Sequence, residues 1–309
     1  MRSFYKIKNN ERLFHEGTTM LITAIELKQL IDNNNNELCI FDCRYALPQP
    51  TAFQTSANAL TKGKQAYLKG HIPNAQFVDI DAELTGEITD SSGRHPLPTH
   101  KNFNQKLQVL GLTPNSKIVI YADTGNLFAA RLWWMLFRWA HINNVSLLDG
   151  GFSAWQDAGL PVTQNLPQIT ASTHSFSFDD SQHVDMQYVQ HKVALKEQHF
   201  ITDARPLLRF NGEPNPIDTV LGHIPGAVNH PCQKNIDKKG YFLPQEQLVR
   251  DFSVIAQYST SDPIIHSCGS GLTACHNAFA MELAGFSHYK LYIGSWSEWT
   301  KHKNNPIEK

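Results

Sequence analysis

The sequence predicts an α/β protein made of two similar domains in tandem, each a mainly parallel sheet flanked by helices. Short apolar runs alternate along the chain with segments of helical periodicity, and this alternation is typical of parallel sheets. The length of 309 residues suits about two domains. One order of landmarks also occurs twice, so we predict an internal repeat.

Four pairs of landmarks define the repeat. They are Asp42-Cys43-Arg44 with Asp203-Ala204-Arg205, Gly70–Ala75 with Gly222–Ala227, Lys117–Asp123 with Asp262–Cys268, and Gly150–Trp155 with Gly294–Trp299. The first copy is the longer one in the intervals between its first three landmarks. We expect features present in both copies to serve the fold, and features present in one copy to be candidates for chemistry.

The alternation places the elements in order along the chain. The predicted strands are Leu38–Asp42, Gln76–Asp79, Lys117–Tyr121 and Val145–Leu148, then Phe200–Asp203, Pro263–Ser267 and Tyr289–Ile293. The predicted helices are Thr23–Ile31, Lys101–Leu110 and Leu127–Trp139, then Pro244–Tyr258 and Leu272–Leu283. Residues 161–180 are rich in Pro, Thr, Ser and Gln and form the predicted linker between an N-terminal domain, 20–160, and a C-terminal domain, 181–305.

Composition excludes several classes of function. The net charge of −1 gives no basic footprint for nucleic acid. The apolar run Leu132–Phe137 is too short to span a bilayer, so we expect no membrane partner. Residues 1–19 lack the apolar core of a secretory signal, and we expect a leader, with translation able to begin at Met20. Five irregularly spaced cysteines indicate no disulfide framework and favour a reducing, cytoplasmic setting.

Comparison of the two copies isolates one cysteine. The Asp–Arg pairs and the histidines His71 and His223 occur in both copies, which indicates structural roles. Cys268 stands where the first copy has Asp123, and Arg209 has no arginine counterpart in the first copy. We therefore expect the second copy to carry the nucleophile.

The residues around Cys268 predict a reactive thiol. An apolar run ends just before Cys268, and Gly269-Ser270-Gly271 follows it, which is typical of a strand, a tight loop and a helix start. Backbone N–H groups of such a loop, together with the positive end of the helix, favour an anion. We expect the thiol to be ionised at neutral pH.

Thiolate loops between a strand and a helix serve four reaction types. Phosphate-ester hydrolysis would need an arginine where Ala274 stands, and dithiol redox chemistry would need a cysteine nearer than Cys275. Acyl transfer would need a histidine base, which the residues leave open. Sulfur transfer needs N–H and hydroxyl groups around a persulfide. The cysteine and histidine spacing matches no established zinc site, so we predict neither a metal nor a cofactor.

These residues resemble the rhodanese family of sulfurtransferases over residues 20–302. The segment Cys268–Ala274 is similar to the active loop of the members that use 3-mercaptopyruvate. Members that use thiosulfate typically carry Cys-Arg-Lys-Gly-x-Thr instead. The runs Leu147–Gly151 and Arg131–Met135 resemble the first domain of the same subgroup. The resemblance implies two rhodanese-like domains, with the catalytic cysteine in the second.

The resemblance also implies how substrate would bind. Cys268 would be the nucleophile, and Arg209 would bind the substrate carboxylate, for which the guanidinium fork is suited. The transferred sulfur would be held by the loop residues Gly269, Gly271, Leu272 and Thr273. The family usually has a second substrate arginine after the Glu-Pro-x-Pro turn, but Ile217 follows that turn here.

A proton relay across the two domains is a further implication of the resemblance. Ser270 in the loop would pair with His95, and Asp81 would fix the tautomer of His95. His95 and Asp81 belong to the first copy and lie in an interval that is longer there. This would explain why a copy without the cysteine is retained.

The expected function is transfer of sulfane sulfur from 3-mercaptopyruvate, through a Cys268 persulfide, to an acceptor, with release of pyruvate. The expected acceptors are a small thiol, cyanide or a thioredoxin-like protein. Thiosulfate as the donor is the alternative within the same class. A noncatalytic binding module, with the loop as a relic, is the alternative from a different class.

Overall fold

The computed structural model describes residues 19–47, 60–257 and 262–309. Of the predicted leader, all but Thr19 lies outside these ranges, as does Tyr258 at the end of a predicted helix. Residues 161–179 contain no helix and take part in one β-bridge, between Thr163 and His71. The limits assigned to the two domains and their linker stay predictions.

Two sheets of identical topology organise the described residues. The strands are β1 Leu21–Ile22, β2 Leu38–Asp42, β3 Ala75–Phe77, β4 Lys117–Tyr121, β5 Val145–Leu148, β6 His183–Val184, β7 Ile201–Asp203, β8 Ala227–Asn229, β9 Ile264–Ser267 and β10 Tyr289–Tyr292. Their orders are β1-β5-β4-β2-β3 and β6-β10-β9-β7-β8, and every pairing is parallel. The predicted α/β class and the internal repeat are confirmed.

Three strands were missing from the prediction. β1 and β6 have two residues each, which is too short for any periodicity to be recognised, and β8 has three. The predicted strand Gln76–Asp79 ends earlier, at Phe77, because the side chain of Asp79 caps the next helix by accepting hydrogen bonds from two backbone N–H groups.

Helices cover the sheets between the strands. They are α1 Ala24–Asp32, α2 Lys62–Lys69, α3 Ile80–Glu83, α4 His100–Val109, α5 Ala129–Trp134, α6 Gly151–Asp157, α7 Met186–Ala194, α8 Leu207–Phe210, α9 Gln245–Ala256, α10 Ala274–Leu283 and α11 Ser295–Trp299. The predicted helix Leu127–Trp139 is α-helical only as far as Trp134, and Met135–Trp139 continues it as a π-helix. This wider turn lies where the two domains meet, since Arg138 there pairs with Glu282.

The features that recur in both copies are structural, as predicted. In each copy an arginine binds the aspartate two residues before it and a backbone carbonyl of the Gly-His-Ile-Pro turn. The pairs are Asp42–Arg44 and Asp203–Arg205, both at 2.7 Å, and the carbonyls are those of Gly70 and Gly222. His71 and His223 each bind a backbone carbonyl through Nδ1 and stack on an aromatic ring.

One apolar core joins the two copies. Its buried residues run from the first sheet through α5 to α10, and the ring of Trp133 meets Phe279 edge to face at 4.7 Å. Burying each such aromatic side chain contributes roughly 1.5–3 kcal/mol. The two sheets are thereby held in a fixed relation, which allows a site to be built from residues of both.

Candidate active site

Cys268 lies directly after β9, at the carboxyl end of the strand, where α/β sheets commonly bind ligands. Its Sγ accepts the backbone N–H of Gly271 at 3.1 Å and that of Ser270 at 3.4 Å. Its own N–H donates to Ser295 Oγ at 3.1 Å. The loop therefore curls around the sulfur, and two N–H dipoles point at the atom that would carry negative charge.

Gly271 is required for this curl, and Gly269 leaves room beside it for two arginine side chains. Gly271 has a φ of +80°, and a Cβ there would lie 2.4 Å from the carbonyl oxygen of Ile293. A Cβ on Gly269 would lie 2.9 Å from Arg209 Nη2 and 3.0 Å from Arg94 Nη2. A larger residue at Gly269 would therefore require both guanidinium groups to shift.

The predicted relay residues lie within hydrogen-bond distance of one another. His95 Nδ1 is 2.8 Å from Ser270 Oγ, and His95 Nε2 is 3.1 Å from Asp81 Oδ1. With Nε2–H donating to the carboxylate, Nδ1 is free to accept from the serine hydroxyl. Burial lowers the pKa of His95 despite the hydrogen bond and charge of Asp81, so the ring is neutral near pH 7.

Tyr45 belongs to this arrangement and was missed by the sequence reasoning. Its hydroxyl donates to Asp81 Oδ1 at 3.0 Å and lies 3.4 Å from His95 Nε2. Burial raises the pKa of Tyr45, so the phenol remains a donor. The available signal was its place just after the recurrent Asp42-Cys43-Arg44 landmark, at the carboxyl end of β2.

The guanidinium groups of Arg209 and Arg94 lie beside Gly269 of the loop. Arg209 was expected, and its Nε and Nη2 donate to Asp218 at 2.8 and 2.7 Å, so one edge of its fork is already occupied. Burial alone would raise the pKa of Asp218, but the bonds and charge of Arg209, and the charges of Arg205 and Arg94, lower it. Asp218 follows Ile217 directly, so an acid that holds Arg209 stands next to the position where the second arginine was expected.

Arg94 is the second of these two arginines beside Gly269, and the sequence reasoning did not find it. It precedes His95 and comes from the first domain, and its backbone N–H donates to Ser297 Oγ of the second domain at 3.0 Å. Burial lowers the pKa of Arg94, while the charge of Asp218 acts against this. A positive group therefore reaches the loop from the opposite side of the domain interface.

A cleft of about 570 Å³ opens beside these groups. Its polar lining includes Asp81, Arg94, His95 and Asp218, and its apolar lining includes Leu47, Ile88, Ile217, Val220 and Trp296. The residue Cys268 is 2% exposed. Arg94 and His95 line the cleft, whereas Cys268 lies behind them and is not part of its lining.

The other predicted loop residues contribute in different ways. The hydroxyl of Thr273 hydrogen-bonds Cys232, and Leu272 is buried in the shared core. The two N–H donors to the sulfur come from Ser270 and Gly271, so a contact of Thr273 with transferred sulfur stays a prediction. Burial raises the pKa of Cys232 and of Cys275 to about 12, so both thiols are neutral near pH 7.

The fold and this loop define a class of protein. The sequence pattern of the rhodanese-like domain matches residues 23–158 and again residues 186–302. The chain therefore belongs to the rhodanese family and has two copies of its domain.

Individual relatives agree with this assignment. A protein of Pseudomonas aeruginosa named "Probable 3-mercaptopyruvate sulfurtransferase" is 38% identical over 292 residues, which are 94% of this chain and 98% of that protein. The thiosulfate sulfurtransferase of Gallus gallus is 32% identical over 240 residues, covering 76% of this chain and 80% of that one. The structure of the 3-mercaptopyruvate sulfurtransferase of Leishmania major superimposes with a TM-score of 0.77 at 29% identity, covering 95% of this chain and 77% of that one.

A lipid bilayer could not be spanned by any helix in the described part of the chain. The longest helix there, α9, has 12 residues, whereas a span needs about 20 apolar ones.

Proposed function

We propose that this chain is a sulfurtransferase that takes sulfur from 3-mercaptopyruvate, holds it as a persulfide on Cys268 and releases pyruvate. The observation that carries the proposal is the continuous set of contacts from the Cys268 loop through Ser270 and His95 to Asp81. A neutral proton acceptor next to a cradled sulfur is what the reaction needs. The names of the Pseudomonas aeruginosa and Leishmania major proteins support this donor, whereas the Gallus gallus protein is named for thiosulfate.

The reaction begins with the thiolate of Cys268 attacking the sulfur of the donor. An S–S bond forms and the C–S bond breaks, and its electron pair leaves as the enolate of pyruvate. The proton of the donor thiol passes through Ser270 to His95 and returns to the methylene carbon of the enolate, so protons balance. The sulfur left on Cys268 is an anion, which the N–H groups of the loop stabilise.

The donor carboxylate is bound by Arg209 and Arg94 in this proposal. Asp218 binds one edge of the Arg209 guanidinium and leaves Nη1 available to the donor carboxylate. The Arg94 guanidinium, which lies beside Gly269, makes no hydrogen bond to another described residue that would compete with the donor. Arg94 would then supply the charge that Ile217 does not. The apolar side of the cleft would contact the carbon skeleton of the donor.

The second half-reaction passes the outer sulfur to an acceptor. A small thiol, cyanide or a thioredoxin-like protein attacks the persulfide, and Cys268 leaves as thiolate. These acceptors are assigned from the chemistry of a persulfide, which reacts with thiolates and cyanide at its outer sulfur. A reducing cytoplasm would supply such thiols.

The test is a single turnover without acceptor. Incubation with 3-mercaptopyruvate should add one sulfur atom to the peptide that contains Cys268 and release one equivalent of pyruvate, as read by mass spectrometry and a pyruvate assay. Absence of both products would refute the proposal, and the same assay with thiosulfate would then separate the alternative donor from a noncatalytic module.

Thiosulfate is the second candidate donor, and the paired cations Arg94 and Arg209 beside Gly269 favour it, because they would suit a dianion. The two donors are separated by kcat/KM measured under identical conditions with the same acceptor. A higher value for 3-mercaptopyruvate supports the first assignment, and a higher value for thiosulfate reverses it.

A further inference from the structure

Arg131 is a buried cation that the proposed chemistry does not yet use. It lies on α5 of the first domain and is 0% exposed. None of the ion pairs formed among the described residues includes it, and its Nε has no hydrogen-bond partner there. Burying a guanidinium without a carboxylate is costly, so this position must offer another compensation.

The two terminal nitrogens of Arg131 bind two different parts of the site. Nη1 donates to the carbonyl of Gly271 at 3.2 Å, and Nη2 donates to the carbonyl of His95 at 3.1 Å. Gly271 also donates its N–H to the sulfur of Cys268, and His95 binds Ser270. One planar fork thus ties the nucleophile loop of the second domain to the relay segment of the first.

The groups that face Arg131 offer no fixed counter-charge. Its positive charge acts on Cys275 and Cys268. Burial raises the pKa of Cys275 to about 12, so this thiol is neutral near pH 7. Burial lowers the pKa of His95 and of His183, so these two rings are neutral as well. Cys268 is the remaining group on which the charge of Arg131 acts, and the Gly271 residue that binds Arg131 also donates its N–H to the Cys268 sulfur.

The other cations near Cys268 are compensated differently. Arg94 and Arg205 both act on its charge, and both also have Asp218 as an acidic neighbour. Cys232 faces Cys268 too, but burial raises its pKa to about 12. Arg131 therefore differs from Arg94 and Arg205, because no acidic side chain compensates its charge.

We propose that Arg131 is a positioning residue for sulfur transfer. It holds the Cys268 loop in place relative to the His95 segment, and it supplies positive charge that stabilises an anionic sulfur at Cys268. The part of this inference that concerns turnover rests on the proposed function. The effect on the thiol itself is independent of any donor.

The experiment compares the full-length Arg131→Met and Arg131→Lys variants with the unmodified chain. The midpoint pH for alkylation of Cys268 by iodoacetamide is read from its peptide by mass spectrometry. Loss of the charge in Arg131→Met should raise this midpoint by about one pH unit or more. Arg131→Lys keeps the charge but not the fork, so its midpoint should stay closer to that of the unmodified chain. Its persulfide formation should be about tenfold slower, because the loop and relay lose register.

Arg138→Met and Arg138→Lys are the matched controls. Arg138 lies in the π-helix that continues α5 and also joins the domains, but it does so through an ion pair with Glu282 at 2.8 Å, away from the loop. Both controls should keep the alkylation midpoint, even where thermal unfolding moves to lower temperature. If Arg131→Met does not give the native circular dichroism spectrum, Arg131→Lys carries the test through its rate.

Two outcomes would overturn the inference. One is a folded Arg131 variant with an unchanged midpoint and an unchanged rate of persulfide formation. The other is an equal midpoint shift in Arg138→Met, which would assign the effect to the stability of the interface. Alkylation needs no sulfur donor, so it still tests Arg131 if the unmodified chain forms no persulfide and the proposed function fails.

Discussion

The loops after β4 and β9 occupy the same place in two sheets of the same topology, yet they are built for different purposes. After β4, the side chain of Asn126 accepts the N–H of Ala122 at 2.8 Å, so an amide fills the turn. After β9, two backbone N–H groups are directed at the sulfur of Cys268. The fold therefore provides the position, and the loop sequence decides whether that position can bind an anion.

The two loops also differ in what covers them. A segment of the second domain packs on the first loop, and the Cδ1 atom of Ile236 lies 2.5 Å from where a Cβ of Gly125 would be. A segment of the first domain covers the second loop, and it brings Arg94 and His95 beside the cleft. Each domain thus covers the loop of the other, in one case with close apolar packing and in the other with charged and proton-accepting groups.

The largest expected effect is loss of the nucleophile. Cys268→Ser should lower sulfur transfer by more than about 10³-fold, because an alcohol at this position cannot form a persulfide. Asp123→Ala is the matched change in the other loop and should alter the rate by less than about twofold. Pyruvate release with a dithiol acceptor measures both. An equal loss in the two variants would contradict the assignment of chemistry to the second loop.

A smaller loss of kcat is expected from substitution of His95, and His276, which also crosses the interface, is its control. His95 reaches Ser270 in the Cys268 loop, and His276 Nε2 donates to the carbonyl of Gly125 in the other loop at 2.9 Å. His95→Gln should lower kcat by about 10²-fold, as expected for loss of an acid–base group. His276→Gln should leave kcat nearly unchanged. Similar kcat values for the two variants would exclude the relay.

The pH dependence of kcat gives the relay a second test. Since burial lowers the pKa of His95, the neutral ring persists, and activity should survive below about pH 6.5, where an ordinary histidine becomes protonated. Asp81 acts to raise this pKa, so Asp81→Asn should move the acid limb to still lower pH while kcat falls. A shift of the limb to higher pH in Asp81→Asn would contradict this account.

A change of charge in the proposed donor site should change KM for the donor by about tenfold. Arg94→Met should raise KM for 3-mercaptopyruvate about tenfold or more, as for loss of one hydrogen bond to a charged group. Ile217→Arg adds a cation to the cleft and should lower KM for the same donor. Lys238→Met, in the segment that covers the inactive loop, is the control and should leave KM unchanged. An unaltered KM in Arg94→Met would remove Arg94 from the donor site.

The relation between sequence and structure differs between local and distant parts of the site. Cys268, Gly271 and the strand before them were predictable, because their conformation is set by neighbours in the chain. Arg94 and the role of Arg131 were not, because their side chains meet the loop through docking of the two domains. Tyr45 was not predictable either, because its partners Asp81 and His95 lie far from it in the sequence. Asp218 was missed since its effect depends on an ion pair with Arg209, nine residues away.

The smallest expected effect is on the pH dependence of stability, and it comes from two buried histidines of the second domain. In the second domain, burial lowers the pKa of His266 to about 3 and of His276 to about 4. The unfolded chain binds these protons below about pH 6.5 and the folded chain does not, so stability is complete above that pH and falls as pH decreases. Each ring should contribute about 1.4 kcal/mol per pH unit until its folded pKa is reached.

Urea unfolding measured between about pH 7 and about pH 4 tests this expectation. His276→Gln should reduce the slope of stability against pH by the contribution of one ring, because glutamine does not titrate. It would keep a donor for Gly125, so much of the stability at neutral pH should remain. His191→Gln, on an exposed position of α7, is the control and should retain the original slope. An unchanged slope in His276→Gln would mean that its ring is already protonated in the folded chain, which its hydrogen bond from Asn235 Nδ2 to Nδ1 opposes.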